Sequence, residues 1–121
     1  LSSIVDALKT KILTEVVGGH VAGCVINRVD QDKTDIITKK MEKVLGVKVL
    51  GVIPEDTNVR RAASAKTPIV IKFPTSPASK AIKRIASDFV GVAYKEEKSV
   101  EVKEGFIDRF TKALFKKRSD K

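Results

Sequence analysis

The sequence of 121 residues has no tryptophan, one cysteine and one histidine, and these absences exclude several kinds of site. The lone Cys24 excludes an internal disulfide and a metal site made of several cysteines, and its apolar neighbours predict a reduced thiol in the core. His20 alone cannot supply a Ser-His-Asp triad or a multi-histidine metal site. Apolar runs stay below the ~18 residues of a membrane-spanning helix, and no secretory signal opens the chain.

Acidic residues are scarce at the carboxyl end of the chain. The whole sequence has 24 basic and 15 acidic residues, a net charge of +9. Residues 109–121 contain six basic residues and one acidic residue, or +5, whereas residues 1–108 contain 18 and 14, or +4. A basic tail on a nearly balanced body predicts an anionic partner for the tail rather than a body coated by nucleic acid.

The hydrophobic spacing predicts helices that alternate with short strands. Ser76 before Pro77 predicts a capped helix start, and Gly46 and Gly91 predict helix stops. Apolar residues at helical spacing, Ile36 among them, predict inward helix faces, and continuous apolar runs such as the one around Val25 predict buried strands. The predicted helices are 2–17, 34–45, 55–65 and 75–90, and the predicted strands are 21–26, 47–53 and 69–72. This order is typical of an α/β fold with parallel strands joined by helical crossovers.

A parallel sheet needs cover on both faces and normally has more than three short strands. We therefore expect residues 1–93 to be the carboxyl-terminal part of a larger, doubly wound and mostly parallel sheet. The chain begins with Leu1 and its only methionine is Met41, which agrees with a chain cut from a longer protein. Residues 94–104 are polar and predict a linker, and residues 105–121 predict a separate amphipathic helix with a basic tail.

Two polar loops follow the first two predicted strands. One begins with Asn27 and Arg28, and the other is Pro54-Glu55-Asp56. Ligands of open α/β sheets bind at the carboxyl ends of strands, and an asparagine amide offers the paired donor and acceptor that an adenine edge requires. The simpler interpretation is that Asn27 only shapes a turn and Pro54 only ends a strand.

No phosphate-binding P-loop is present in the sequence. The nearest approach runs from Gly18 to Gly23, but Cys24 and Val25 then stand where a lysine and a hydroxyl residue are required. Without that lysine and hydroxyl, the terminal phosphates and Mg²⁺ lack their usual ligands. We therefore expect this chain to be inactive in nucleotide hydrolysis by itself.

The runs VAGCVINRVD and VLGVIPEDTNVRRAASAKTPIVIKFPTSPASKAIKRIA resemble the carboxyl-terminal half of the deviant-Walker MinD/ParA family of P-loop ATPases. The resemblance implies that Asn27 contacts adenine, that Pro54, Glu55 and Asp56 line the base, and that Arg28 lies beside the nucleotide or a dimer face. The family's P-loop and its Mg²⁺-binding aspartate belong to the amino-terminal half, so the resemblance assigns no catalytic or metal-binding residue here.

For the intact protein, the MinD branch of that family implies a cycle on a membrane. Such a protein binds ATP with Mg²⁺, forms a homodimer and associates reversibly with the membrane to position the division site. The resemblance further implies division-regulator proteins as possible partners and a cytoplasmic protein that is peripheral on the inner face of the cell membrane.

The carboxyl-terminal segment combines an aromatic stripe with basic residues. At 100° per residue, its apolar side chains fall mostly on one side, although Phe115 lies off the stripe and Lys117 intrudes on it. An aromatic face flanked by lysine is typical of a helix lying in an anionic membrane interface. The candidate membrane-binding residues are Phe106, Ile107, Phe110, Lys112, Leu114, Phe115, Lys116, Lys117 and Arg118. The alternative is a terminal helix that packs on the body or on a neighbouring subunit.

Two other functions stay open at this point. A ParA-like partition ATPase would bind DNA through basic surface residues, for which the candidates are Arg60, Arg61, Lys80, Lys83 and Arg84. A non-catalytic interaction module is the other alternative. Membrane binding depends on the tail, whereas DNA binding would survive its deletion and would fall steeply with salt.

Overall fold

The structure, a computed structural model, describes residues 2–96 and, beyond them, only Arg109 and Lys112. Helices and strands alternate from the start, and the element after β2 is again helical. Their bounds are α1 (Ser2–Val16), β1 (Cys24–Val29), α2 (Thr34–Leu45), β2 (Val49–Pro54), α3 (Thr57–Ser64), α4 (Ile69–Lys72) and α5 (Pro77–Val90). The predicted α/β class with parallel strands is confirmed.

The two strands pair in parallel, and α2 carries the chain from one to the other. Helix α5 packs on β2, and α2 also contacts β2. The approach of α5 is close because Gly51 has no side chain. A Cβ atom at that position would overlap the side chain of Ile85. A glycine in the middle of a strand here marks a close helix–strand contact.

Three predicted helix boundaries agree with the structure. Gly46 and Gly91 follow α2 and α5 with φ of 63° and 71°, the left-handed conformation that glycine adopts without steric cost. Pro77 opens α5 directly after Ser76, as the sequence predicts. The predicted function of the Ser76 hydroxyl as a helix cap is wrong, because it makes no capping bond to the backbone.

The prediction of a third strand at residues 69–72 is wrong, because this segment forms the single helical turn α4. Pro68 precedes it, and its carbonyl accepts hydrogen bonds from the N–H groups of Ile71 and Lys72 at 3.0 Å. These local bonds satisfy the backbone without a neighbouring strand. The turn packs against α3 and α5, while Ile71 remains 69% exposed.

The buried core of the described residues is small. Only four apolar residues are buried, namely Val29, Leu45, Ala62 and Ala78. Several residues predicted to face inward are exposed instead: Ile36 is 72% exposed, and the strand residue Val25 is 43% exposed. The apolar stripe of α1 is also largely open, with Leu13 at 64%. The periodicity identifies the apolar faces correctly, but no other element among the described residues covers them.

The predicted linker and terminal helix lie almost wholly outside the described residues. Arg109 and Lys112 are described, and both are helical and exposed. The helix at residues 105–121 therefore stays a prediction, as does the linker at 94–104. Within the described part of the chain, no helix has both the length and the apolar character needed to cross a bilayer.

Replacing Gly51 by alanine tests the contact between α5 and β2. The new methyl group would collide with Ile85, so we expect a loss of about 1–3 kcal/mol in the free energy of unfolding. Urea denaturation followed by circular dichroism measures this loss. Ile85→Ala removes both the Cγ1 and the Cδ1 atoms that the methyl would meet, so it should cost less in the Gly51→Ala background than in the wild type. Strictly additive effects would contradict the contact.

Candidate functional site

A cleft of about 290 Å³ lies at the carboxyl ends of the two strands. The carboxyl end of β1 and the loop after β2 contribute to it, and one side of α3 completes it. The prediction that Asn27 and Arg28 follow the first strand is wrong, because β1 continues to Val29 and includes both residues. The lining residues of the cleft are Asn27, Arg28, Pro54, Glu55, Asp56, Thr57, Val59, Arg60 and Ala63. The structure thus brings all five predicted nucleotide-contacting residues to one cleft. Its size is near the lower limit of ligand pockets, which span about 300–1,000 Å³.

The strand pairing is interrupted where Asn27 and Arg28 lie. Ile26 pairs with Val52 and Val29 pairs with Pro54, so two residues of β1 stand opposite one residue of β2. This extra residue is a β-bulge, a device that redirects side chains and is frequent beside functional sites. The bulge turns the end of β1 towards the cleft.

Arg28 has a φ of 58°, a conformation that residues with a side chain rarely adopt. Its backbone N–H donates to Oδ1 of Asn27 at 3.0 Å, and its Nε donates to Oε2 of Glu55 at 3.0 Å. Backbone strain of this kind is typical of functional sites. Because Oδ1 of Asn27 already accepts a bond, its amide NH₂ is the group left to donate to a ligand.

Backbone and side-chain contacts hold the end of β1 to the loop after β2. The Glu55 N–H donates to the carbonyl of Val29 at 3.1 Å, which continues the hydrogen bonding between the two strands one residue beyond β2. The ion pair between Arg28 and Glu55 adds a second link across the mouth of the cleft. Both side chains are largely exposed, so this pair contributes at most ~1 kcal/mol. The proline ring of Pro54 fixes the backbone at the point where the loop leaves β2.

Asp56 lines the cleft, but its carboxylate points to two helix ends. Oδ1 accepts from the N–H of Asn58 at 2.9 Å, and Oδ2 accepts from the N–H of Ala78 at 3.0 Å. Partial burial raises the pKa of Asp56, but the hydrogen bonds from Ala78, Asn58 and Ser76 outweigh it and bring the pKa below its ordinary value. The aspartate is therefore held ionised at neutral pH.

Sequence reasoning missed the contribution of α3 to the cleft. Val59 and Ala63 lie four residues apart and so share one side of the helix, and Arg60 lies next to them. That spacing is visible in the sequence, but only the position of α3 beside the strand ends shows that these residues line the cleft. Arg60 adds a second guanidinium to the cleft, after Arg28.

The remaining titratable groups of interest lie apart from this cleft. Cys24 is half-buried, and burial, followed by the charge of Glu42, raises the pKa of its thiol. The prediction of a core thiol is wrong in its burial, since the side chain is only half-buried. Among the described residues, no group of three or more histidine, cysteine, aspartate or glutamate side chains is placed to hold a metal ion.

Parallel strands, a helical crossover and a polar cleft at the strand ends define an α/β domain of the kind that binds ligands at this edge of its sheet. Residues 1–69 match the CobQ/CobB/MinD/ParA nucleotide-binding domain. The chain therefore belongs to this family of nucleotide-binding proteins.

Known proteins similar to this chain include an ATP-binding protein and a protein named MinD. An uncharacterised ATP-binding protein of Methanocaldococcus jannaschii is 44% identical over 118 residues, which cover 98% of this chain and 44% of that protein. A protein of Mesostigma viride named as a septum site-determining MinD is 35% identical over 75 residues, covering 59% of this chain and 26% of that protein. The chain thus spans less than half the length of these relatives.

Solved structures show the same fold. The MinD cell division protein of Aquifex aeolicus superimposes with a TM-score of 0.64 and 25% identity, covering 80% of this chain and 42% of that chain. The MinC:MinD complex of the same organism gives a TM-score of 0.65 at 24% identity, covering 80% and 41%. The predicted MinD/ParA relationship is confirmed.

Substitutions at Arg28 test the strained backbone of the bulge. Arg28→Gly and Arg28→Ala both remove the ion pair with Glu55, but only glycine tolerates the left-handed conformation. We expect the glycine variant to be more stable by about 1 kcal/mol in urea denaturation. The matched pair at Arg60, inside α3, should show the reverse order, since glycine destabilises a helix by about 1 kcal/mol relative to alanine. The same order at both sites would refute the strain.

Proposed function

We propose that this chain supplies the base-recognising half of the nucleotide site in a MinD-type ATPase. The observation that carries the proposal is the convergence of Asn27 and the Pro54–Asp56 loop on one cleft, within a fold of the MinD/ParA type. The bulge and the positive φ at Arg28 support it, because both are features of functional sites.

The residues of the cleft fit an adenine nucleotide held by its base. The Asn27 amide donates to a ring nitrogen of the base, and Val59 and Ala63 offer an apolar surface for its flat face. Arg28 and Arg60 are two cations placed to attract the anionic part of the ligand. ATP with Mg²⁺ is the cofactor we propose for the intact protein, whose phosphates and metal would be held by residues other than those described.

Adenosine, which has no phosphates, tests this site in the chain itself. We expect binding in roughly the millimolar range, since the ligand is small and the cleft open. Nuclear magnetic resonance titration should move the amide signals of Asn27, Arg28 and Glu55.

Asn27→Asp provides the sharpest variant for that titration. It keeps the Oδ1 acceptor for the Arg28 N–H and replaces the amide donor by a charged oxygen that cannot donate, so we expect about tenfold weaker adenosine binding. Asn58→Asp is the matched control, because its Oδ1 bonds Arg61 outside the cleft and binding should be unchanged. If the wild-type chain fails to bind adenosine, the proposal is wrong.

We further propose that the intact protein works as a homodimer on the inner face of the cell membrane, positions the division site and is otherwise cytoplasmic. The Aquifex MinD forms a complex with MinC, which supports a division regulator as a partner. The carboxyl-terminal segment of residues 105–121, here called the tail, supplies the membrane contact through its aromatic stripe and basic residues. One tail binds weakly, whereas two tails on a dimer gain from effective concentration. Dimer formation therefore controls how long the protein stays on the membrane.

Phe110→Asp tests the tail. The substitution places a charge in the centre of the apolar stripe, so we expect loss of co-sedimentation with vesicles containing anionic lipid. Thr111→Asp is the matched control: it makes the same charge change on the polar side and should reduce binding only slightly. Unchanged sedimentation of the Phe110 variant would rule out the tail as the membrane contact.

DNA binding is the second candidate function, and one observation favours it. Residues 57–90 contain seven basic residues and a single acidic one. Several of these cations already have partners within the chain: Arg61 lies over the ring of Phe73, Lys83 donates to the Pro74 carbonyl and Arg84 pairs with Glu96. DNA binding that is steeply salt-dependent and survives deletion of residues 106–121 would favour this function over the membrane.

A further inference from the structure

We propose that Asp56 is a positioning residue of the nucleotide site, whose carboxylate ties α3 to α5 and thereby fixes the loop that lines the base. The inference rests on the proposed function and deepens it. Asp56 acts on the ligand through Pro54 and Glu55, because its own carboxylate oxygens are already occupied.

The carboxylate joins two elements that are distant in sequence. As the residue before α3, Asp56 has extended backbone angles and caps that helix through the N–H of Asn58. Its second oxygen reaches the N–H of Ala78 in the first turn of α5, 22 residues further along the chain. One side chain therefore satisfies orphan N–H groups at two helix starts, and its negative charge suits the positive end of both helix dipoles.

The first turn of α5 depends on this distant carboxylate. Ser76 stands at the capping position, but its hydroxyl makes no cap bond to the backbone and lies 3.3 Å from Oγ of Ser79. Ala78 and Ser79 are fully buried, so water cannot replace the missing cap at the Ala78 N–H. Without Asp56, that N–H would be buried and unpaired, and this costs free energy. The folded chain therefore keeps the hydrogen bond between Asp56 and Ala78.

The loop that joins β2 to Asp56 is a single residue long. Pro54 is the last residue of β2 and Asp56 is the cap of α3, so Glu55 is the only residue between them. Glu55 in turn bonds Val29 through its backbone and Arg28 through its side chain. Any shift of Asp56 therefore moves the contacts that close the cleft above the base.

A ratio of two affinities distinguishes positioning from general stability. Global destabilisation lowers the folded fraction and so weakens the apparent affinity for every ligand by the same factor. A displaced loop changes the fit of the base itself, so it alters adenosine binding relative to binding of inosine, which differs at the base edge only. The experiment measures both dissociation constants by titration of the chain, for the wild type and for Asp56→Asn.

Asp56→Asn keeps one acceptor oxygen and removes the charge and the other acceptor. We expect adenosine binding to weaken by roughly fivefold, about the effect of one hydrogen bond misplaced by the shifted loop, and the adenosine preference over inosine to fall by a similar factor. Ser76→Ala, which removes a hydroxyl that helps to lower the pKa of Asp56, should produce a smaller change in the same direction. Asp88→Asn makes the same charge change near the other end of α5 and should leave the preference unaltered.

The outcomes separate this inference from the function on which it rests. If the wild-type chain binds adenosine and Asp56→Asn keeps the wild-type preference, Asp56 has a structural role only and the inference is overturned. If Asp56→Asn does not fold, the Ser76→Ala variant decides by the same ratio. If the wild-type chain does not bind adenosine, the proposed function fails and the positioning role fails with it.

Discussion

The parallel pairing of β1 with β2 is the constraint on which the site depends. Because the strands run in the same direction, the polar residues at their carboxyl ends reach one edge of the sheet, although Asn27 and Glu55 are 28 positions apart in the chain. The pairing is not uniform, and the extra residue of β1 at Asn27–Arg28 lies where both side chains line the cleft. Glu55 then connects the loop after β2 to the end of β1 by a backbone bond to Val29 and an ion pair with Arg28. A regular ladder would direct these side chains differently.

The second feature of this chain is a large exposed apolar surface on its helices. Leu13, Ile36 and Phe89 are each more than 60% exposed, and such residues are normally covered in a domain of this type. The relatives are more than twice as long as the part of them that this chain matches. The open apolar faces and the length of the relatives agree with each other, and they explain why the helical periodicity was right while the burial deduced from it was wrong.

Predictions from the sequence succeeded where local chemistry decides the structure. Pro77 after a serine, and glycine at positions 46 and 91, define helix ends because their backbone preferences hold in any fold. The predictions failed where one local sequence pattern is compatible with two structures. The run Ile69–Lys72 is rich in β-branched residues and predicts a strand, yet Pro68 and the packing against α3 and α5 make it one turn of helix. The Ser76 cap failed for a similar reason, since a carboxylate from another loop took its place.

For the site, the sequence by itself determined the residue types and the two segments that carry them: Asn27 with Arg28, and the run from Pro54 to Asp56. This was possible because apolar runs locate buried strands and ligands of parallel sheets bind near their carboxyl ends, although β1 continues to Val29, past the end of its apolar run. Only the tertiary structure decided how each side chain is used. It turns the carboxylate of Asp56 towards two helix starts, adds Arg60 from α3, and puts Arg28 in a strained conformation. Those outcomes depend on contacts between residues far apart in the chain, which no local pattern specifies.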